Sequence, residues 1–262
     1  MSAVSWEWIA VGYATYLAVV AVAVRRFARA RGPTLVVAFA AWVLWAMWRD
    51  GSRPLLVDAL LPALILVAGY WLSGLFFIRP MRGVEQRLLD VDARLARVCP
   101  LPCPWFAREY LELAYVLVYM VVPAGALTLA FGGHPSEVPR FWAVVLLAGF
   151  VSYGTLPWLQ TRPPRAIETG DGTAAFSPLR RFNLAILNRA SNQVNTLPSG
   201  HAATAVAVAC VVGGVMPGAG LVFGVVAASI VLATVIGRYH YAVDSLLGVL
   251  VGVAAWALIE SI

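Results

Sequence analysis

Two imidazoles define the chemistry open to this chain. His201 closes the run Asn195-Thr196-Leu197-Pro198-Ser199-Gly200-His201, where a polar loop enters an apolar helix beginning near Ala202. His240 lies in Gly237-Arg238-Tyr239-His240-Tyr241-Ala242-Val243-Asp244. A Pro-Ser-Gly-His turn offers backbone N–H groups, a hydroxyl and an imidazole at a helix N-terminus, which is a ready anion site. Asp244 follows His240 by four positions, so on a helix the two share a face. The two pieces are expected to close over a phosphate group held at a membrane surface.

Phosphoryl transfer is mostly positioning and charge stabilisation. It needs a nucleophile, an acid on the opposite side of phosphorus, and fixed cations around the equatorial oxygens. An imidazole near its unperturbed pKa of about 6.5 can fill either of the first two roles. Arg162 and Arg165, in Arg162-Pro163-Pro164-Arg165, and Arg238 beside His240 are the candidate cations; arginine can grip phosphate bidentately. No carboxylate cluster suited to magnesium accompanies the histidines, so neither metal nor cofactor is expected. Cys99 and Cys103 bracket Pro-Leu-Pro with no second pair and no neighbouring histidine, which argues against zinc, and Cys210 reads as packing.

The elements that must position these residues are apolar. Of 262 residues 61% are hydrophobic and 12% charged, and the mean hydropathy is +0.81, which fits an all-α polytopic membrane helix bundle and no ordinary soluble domain. A spanning helix takes about 20 apolar residues. Residues 6–24, 33–48, 55–78, 110–131, 141–156, 202–215, 219–236 and 239–259 supply about eight such runs. The second is short, with its tryptophans and flanking Arg31 and Arg49 as interfacial anchors. Met1 to Glu7 lacks the basic region of a cleavable signal, so the first run is expected to stay. Asp58, in the first turns of the third, reads as a snorkelling interfacial residue.

Between the third and fourth runs, Val84, Leu88, Val91, Leu95 and Val98 recur at steps of three and four among Arg87, Asp90, Asp92, Arg94 and Arg97. That is an amphipathic helix expected to lie along the interface, stopped by Pro100, Pro102 and Pro104. Residues 157–195 are too long for a simple connection and read as functional or disordered. Within them Arg180, Arg181 and Arg189 read as topology signals, while Tyr239 and Tyr241 further on read as interfacial packing and His134 as structural. The division expected is 1–108 for the N-terminal helices with the interfacial helix, and 109–262 for the catalytic bundle. With eight spans, Arg162 and Arg165, the Ser199–His201 turn and the Arg238–Asp244 segment all fall on one membrane face. All 19 basic residues are arginines lying between apolar runs, which reads as topology and headgroup contact; no nucleic-acid partner is expected.

Pro198-Ser199-Gly200-His201, the His-x-x-x-Asp of His240 and Asp244, and the preceding Arg162-Pro163 together resemble the type 2 phosphatidic acid phosphatase (PAP2) superfamily of membrane lipid phosphatases and phosphotransferases. The Gly-Arg-Tyr-His-Tyr-Ala-Val-Asp form is similar to the branch containing inositol phosphorylceramide synthase-like enzymes. The resemblance implies a PAP2-like core in the C-terminal half. It implies that His240 attacks phosphorus to form a phosphohistidine, with Asp244 orienting its ring and stabilising the imidazolium. His201 would protonate the leaving alkoxide and then activate the incoming water or alcohol, and Ser199 with the Gly200 and His201 amides would bind nonbridging oxygens.

Two positions depart from that pattern. The superfamily's first motif is Lys-x6-Arg-Pro, and Thr155 stands where its lysine belongs; the chain contains no lysine. The last motif is Ser-Arg-x5-His-x3-Asp, and here Ala233 and Thr234 take the first two places. Arg238 supplies the displaced cation, and Arg165 is expected to stand in for the lysine, with Arg162 the alternative. On sidedness two arguments oppose each other: sixteen of the nineteen arginines fall on the site face, which the positive-inside rule assigns to the cytoplasm, whereas resemblance implies the outer face. The expected partners are the bilayer and a lipid phosphate, either an isoprenyl phosphate or diphosphate or phosphatidate, that enters between helices and loses its phosphoryl group to water. The alternatives are transfer to an alcohol such as inositol or a lipid hydroxyl, and a non-enzymatic protein that binds lipid phosphates.

Overall fold

The computed structural model describes residues 5–48, 53–98, 103–167 and 177–262. The expectations placed on Met1, Arg49, Cys99, Pro100 and Pro102 lie outside these residues. Among the described residues ten α-helices follow one another: α1 Trp6–Ala23, α2 Arg31–Trp48, α3 Leu55–Gly74, α4 Arg82–Val98, α5 Trp105–Phe131, α6 Val138–Gly154, α7 Pro178–Ala190, α8 Gly200–Val215, α9 Pro217–Ile236 and α10 Ala242–Glu260. Among the described residues there is no strand, only an isolated antiparallel bridge between Thr161 and Asn195. The all-α bundle read from the sequence is the fold found.

Among the described residues six helices, α1, α2 with its 3-10 lead-in, α3, α5, α9 and α10, are long and apolar enough to cross a membrane. The chain is a multi-pass membrane protein. The other two expected spans, α6 at 17 residues and α8 at 16, are shorter. Protein rather than lipid surrounds them: α8 packs on α5, α6, α9 and α10, and α6 also meets α1 and α3. Their sequences show why. Phe141 to Leu146 on α6 and Ala202 to Ala205 on α8 are buried without a break, and Ala207 and Val208 are buried beyond them, the pattern of a helix enclosed on most sides. One core joins Leu17 and Leu66 of α1 and α3 to Trp142, Val208 and Ala255.

α10 approaches α8 through Gly248 and Gly252. A Cβ on Gly248 would lie 2.5 Å from the Ser199 carbonyl, and one on Gly252 2.6 Å from that of Ala203. Small residues four apart let two backbones touch, and here they bring the N-terminal ends of α8 and α10 side by side.

The amphipathic helix is present as α4, but the face it docks differs from its apolar stripe. Glu85, Leu88 and Asp92 are buried, whereas Leu95 is 48% and Val98 85% exposed. The long polar block contains α7, whose N-cap Ser177 hydroxyl accepts the Arg180 N–H at 3.1 Å. Asp58, expected to snorkel alone, forms an ion pair with Arg53 at 2.5 Å.

Candidate active site

Three loop segments meet where α8 and α10 begin. The Ser199 hydroxyl caps α8 by accepting the Ala202 N–H at 3.3 Å, while the Ser199 N–H donates to the Asp244 carbonyl at 2.9 Å. Asn195 joins the third segment: its N–H donates to the Thr161 carbonyl at 2.9 Å, and its Nδ2 donates to Thr161 Oγ1 at 3.1 Å and to Asp244 Oδ2 at 2.6 Å. The Arg165 N–H donates to the Arg238 carbonyl at 3.1 Å.

This stitching sets His201 and His240 in contact. His240 Nε2 lies 3.2 Å from His201 Nδ1, with ring centroids 5.3 Å apart. The histidines are expected on opposite sides of a phosphorus atom; they are instead hydrogen-bonded neighbours. Behind His240, its Nδ1 stands 3.7 Å from Asp244 Oδ2, close enough for charge but too long for a hydrogen bond. That oxygen is already engaged by Asn195 and by the Tyr241 N–H at 3.2 Å. His240 Nδ1 and Asp244 Oδ1 are buried without a hydrogen-bond partner.

His240 and Asp244 do not share a helix as the four-residue spacing suggests. α10 starts at Ala242, because Asp244 folds back on the N–H of Tyr241 in a capping box, which ends the helix one residue beyond His240. Arg238, with φ +58°, turns the chain out of α9 and swings the imidazole toward His201. Burial, then the neighbouring Arg165 guanidinium, push the His240 pKa down to about 3. The ring is neutral at pH 7, with a lone pair for attack.

The arginines divide. Arg162 is held by Glu85: its N–H and Nε donate to Oε1 at 2.8 and 3.1 Å, and its Nη2 to Oε2 at 2.9 Å. Burial pushes Glu85 upward, but these bonds outweigh it and keep its pKa below the usual carboxylate value. Arg238 Nη1 donates to Asp92 Oδ2 at 2.8 Å, and Asp92 Oδ1 accepts the Ala242 N–H at 3.0 Å. Arg165 is different. Its Nη1 donates to the Tyr239 carbonyl at 3.3 Å and its guanidinium sits 5.6 Å from that ring's centroid, with no carboxylate paired to it among the described residues. The Gly200 N–H is engaged by Thr196 Oγ1 at 3.2 Å, and a Cβ on Gly200 would meet Tyr153 at 2.4 Å.

A second buried network holds the His240 loop from below. Glu112 Oε1 accepts from Arg180 Nη1 at 3.0 Å, and Oε2 accepts from Asn183 Nδ2 at 2.7 Å and from the Tyr239 hydroxyl at 2.5 Å. Arg180 also donates to the Gly237 carbonyl at 2.7 Å. Tyr239 stacks on Tyr115 at 3.6 Å, and Tyr115 faces His201 at 5.5 Å. Arg180 is therefore no mere topology signal, and Tyr239 and Tyr241, fully buried, are not interfacial. Glu112 carried a legible signal, a carboxylate in the third position of the apolar run that opens at residue 110.

Residues 85–258, well over half of the chain, match the PAP2 superfamily. The chain belongs to the PAP2 superfamily. No curated protein and no solved structure matches it. As a PAP2 superfamily member it is a membrane phosphoesterase of the phosphatase or phosphotransferase type. The match opens at Glu85, inside α4, so the helix whose carboxylates hold Arg162 and Arg238 lies within the PAP2 region. Where the superfamily pattern has an arginine, Thr234 instead shares a 2.8 Å hydrogen bond with Ser245, tying α9 to α10.

Proposed function

We propose that this PAP2 protein removes the phosphoryl group of a lipid phosphate, an isoprenyl phosphate or diphosphate or a phosphatidate, through a phosphohistidine on His240. The observation that carries the reading is a neutral, buried His240 in contact with His201, with Asp244 behind it and the carboxylate-free Arg165 beside it. His240 Nε2 attacks phosphorus, and the bond from that phosphorus to its leaving oxygen breaks: the lipid alkoxide oxygen of a monophosphate, the bridging oxygen of a diphosphate. His201, entering the step as the imidazolium beside the bound phosphate, gives that oxygen its proton. Water then attacks the phosphohistidine, His201 takes the water proton, and phosphate leaves with His240 restored. A separation of 3.2 Å is hydrogen-bond length and has no room for phosphorus, so the rings part as the substrate phosphate enters. Arg165 holds the equatorial oxygens, with the Ser199 hydroxyl and the His201 N–H as further donors; Arg162 and Arg238 brace the loops.

No three His, Cys, Asp or Glu side chains among the described residues are grouped to hold a metal ion, and the proposed reaction runs without one. Incubating purified protein with radiolabelled lipid phosphates, with and without alcohols, tests the reading. The expected result is free phosphate that resists EDTA, is blocked by vanadate, leaves acid-labile label on His240 and disappears in His240→Ala. Loss of activity on chelation, or full activity in His240→Ala, overturns it.

A second reading, transfer of the headgroup to an alcohol such as inositol or a lipid hydroxyl, is favoured by the hydroxyl-bearing wall beside His201. Tyr115 stacks on that ring and Tyr119 meets it edge-on at 6.4 Å. A new phosphodiester in the alcohol arm would select this reading over hydrolysis.

A further inference from the structure

Apart from the histidine pair, the ends of α3, α4 and α6 and the turn after α1 enclose a cleft of about 1030 Å³ that shares no lining residue with it. Arg26, Arg79, Arg82 and Arg87 line this cleft, and no Asp or Glu does. Among the described residues none of the four is in an ion pair. Glu85, the nearest carboxylate along α4, feels Arg82 but is bonded to Arg162. Four like charges that repel one another, none of them ion-paired among the described residues, describe a site for an anion from outside the chain.

The frame of the cleft is fixed. Buried Gln160 accepts the N–H groups of Ile78 and Arg79 at 2.8 and 3.2 Å and donates to the Phe76 carbonyl at 3.0 Å, and the Met81 N–H donates to the Gln160 carbonyl at 2.7 Å. Arg26 Nη2 donates to the Pro157 carbonyl at 3.2 Å with its guanidinium stacked near Phe27 and Trp158. The rest of the wall is apolar and open: Ile78, Met81 and Trp158 are each between 42% and 50% exposed. Clustered arginines beside an exposed tryptophan at the ends of apolar helices match a bilayer interface, and the volume is at the upper end of small-ligand sites. A free anion would use the arginines alone, whereas a phospholipid uses both surfaces.

We propose that this cleft binds the headgroup of an anionic phospholipid, which thereby holds α4 against the catalytic loops. α4 is the link: its first turn lines the cleft, and its Glu85 and Asp92 grip Arg162 and Arg238.

The test uses full-length protein in phosphatidylcholine nanodiscs with and without phosphatidylglycerol, with lipid binding measured separately by native mass spectrometry. The triple variant Arg79→Gln, Arg82→Gln, Arg87→Gln is expected to bind phosphatidylglycerol on the order of a hundredfold more weakly, at about 1 kcal/mol per arginine. Its activity in phosphatidylcholine alone stays at the wild-type level, and stimulation by phosphatidylglycerol is lost. Arg87→Gln alone, which disturbs the fold least, weakens binding several-fold. Unchanged binding in the triple variant, with loss in Arg165→Gln, puts the lipid in the catalytic site and overturns the proposal. Soluble glycerol phosphate binding as tightly as phosphatidylglycerol makes the cleft a free-anion site and overturns the lipid assignment.

Discussion

At His240 the largest influence is burial, and it has consequences that pH can read. The folded ring titrates at about 3, the unfolded one at about 6.5. Between those values the unfolded chain binds the additional proton, so stability falls as pH drops from about 6.5 toward 3 and is constant above that window. Thermal melts of His240→Gln should therefore lose less stability over that range than those of wild type. In kinetics the acid limb of kcat/KM due to His240 lies well below pH 6. Arg165, the second cause of the shift, allows a sharper test: Arg165→Gln moves that limb to higher pH and lowers kcat/KM by roughly 10²–10³, the loss typical of one preorganised donor. Arg162→Gln, with Glu85 as its partner, should lower the melting temperature more than the rate constant of chemistry. That His201, His240 and Asp244 lie together was legible because their spacing is local to two motifs. The choice between Arg162 and Arg165 was not, because it turns on a carboxylate 77 residues away in sequence. Asn195 was hidden for the same reason: its hold on Asp244 spans 49 residues.

Among the elements, α4 and α10 carry the positioning. The amphipathic period of α4 was plain in the sequence, but period marks the apolar stripe and says nothing of buried carboxylates docking on the same or a neighbouring face. Burial raises the Asp92 pKa despite the Ala242 N–H and Arg238, so the folded chain takes up this proton before the unfolded one does, and protonating Asp92 on acidification does not by itself cost stability. Asp92→Ala leaves the Ala242 N–H without its acceptor and should cost roughly 1–3 kcal/mol, read from denaturation in detergent, while Asp92→Asn restores the N–H contact and part of the loss. The start of α10 was misjudged from the continuous apolar run because the capping box, not hydrophobicity, ends a helix. Its contact with α8 is equally local. Gly248→Ala sets a methyl 2.5 Å from the Ser199 carbonyl, and relieving that overlap should cost roughly 1–3 kcal/mol. Since Ser199 also binds the Asp244 carbonyl, the shift pulls Asp244 and His240 from His201. Activity should fall further than stability does, and Ala202→Gly, which removes the side-chain contact at 2.9 Å, does not restore it, because the closest overlap is with the Ser199 backbone.

For the whole molecule, hydropathy made the bundle and its approximate number of spans legible, since lipid demands long apolar helices with internally satisfied backbones. It could not mark which helices are enclosed, as α6 and α8 are by their neighbours. The convergence of the three motifs at one end of the bundle fits a single catalytic face, and the basic cleft lies on the loops of that same end. The charge distribution then bears on orientation. With sixteen of nineteen arginines on that end, the positive-inside rule puts it in the cytoplasm, against the outer face implied by resemblance. Two exposed positions separate these outcomes: Gln86 on α4 at the catalytic end, and Ser136 in the loop between α5 and α6 at the other. In a chain with Cys99, Cys103 and Cys210 replaced by serine, an impermeant maleimide added to intact cells should label Ser136→Cys and not Gln86→Cys, and permeabilisation should expose Gln86→Cys. Labelling of Gln86→Cys in intact cells would mean that the arginines serve phosphate and lipid rather than topology, and would move His201 and His240 to the outer face.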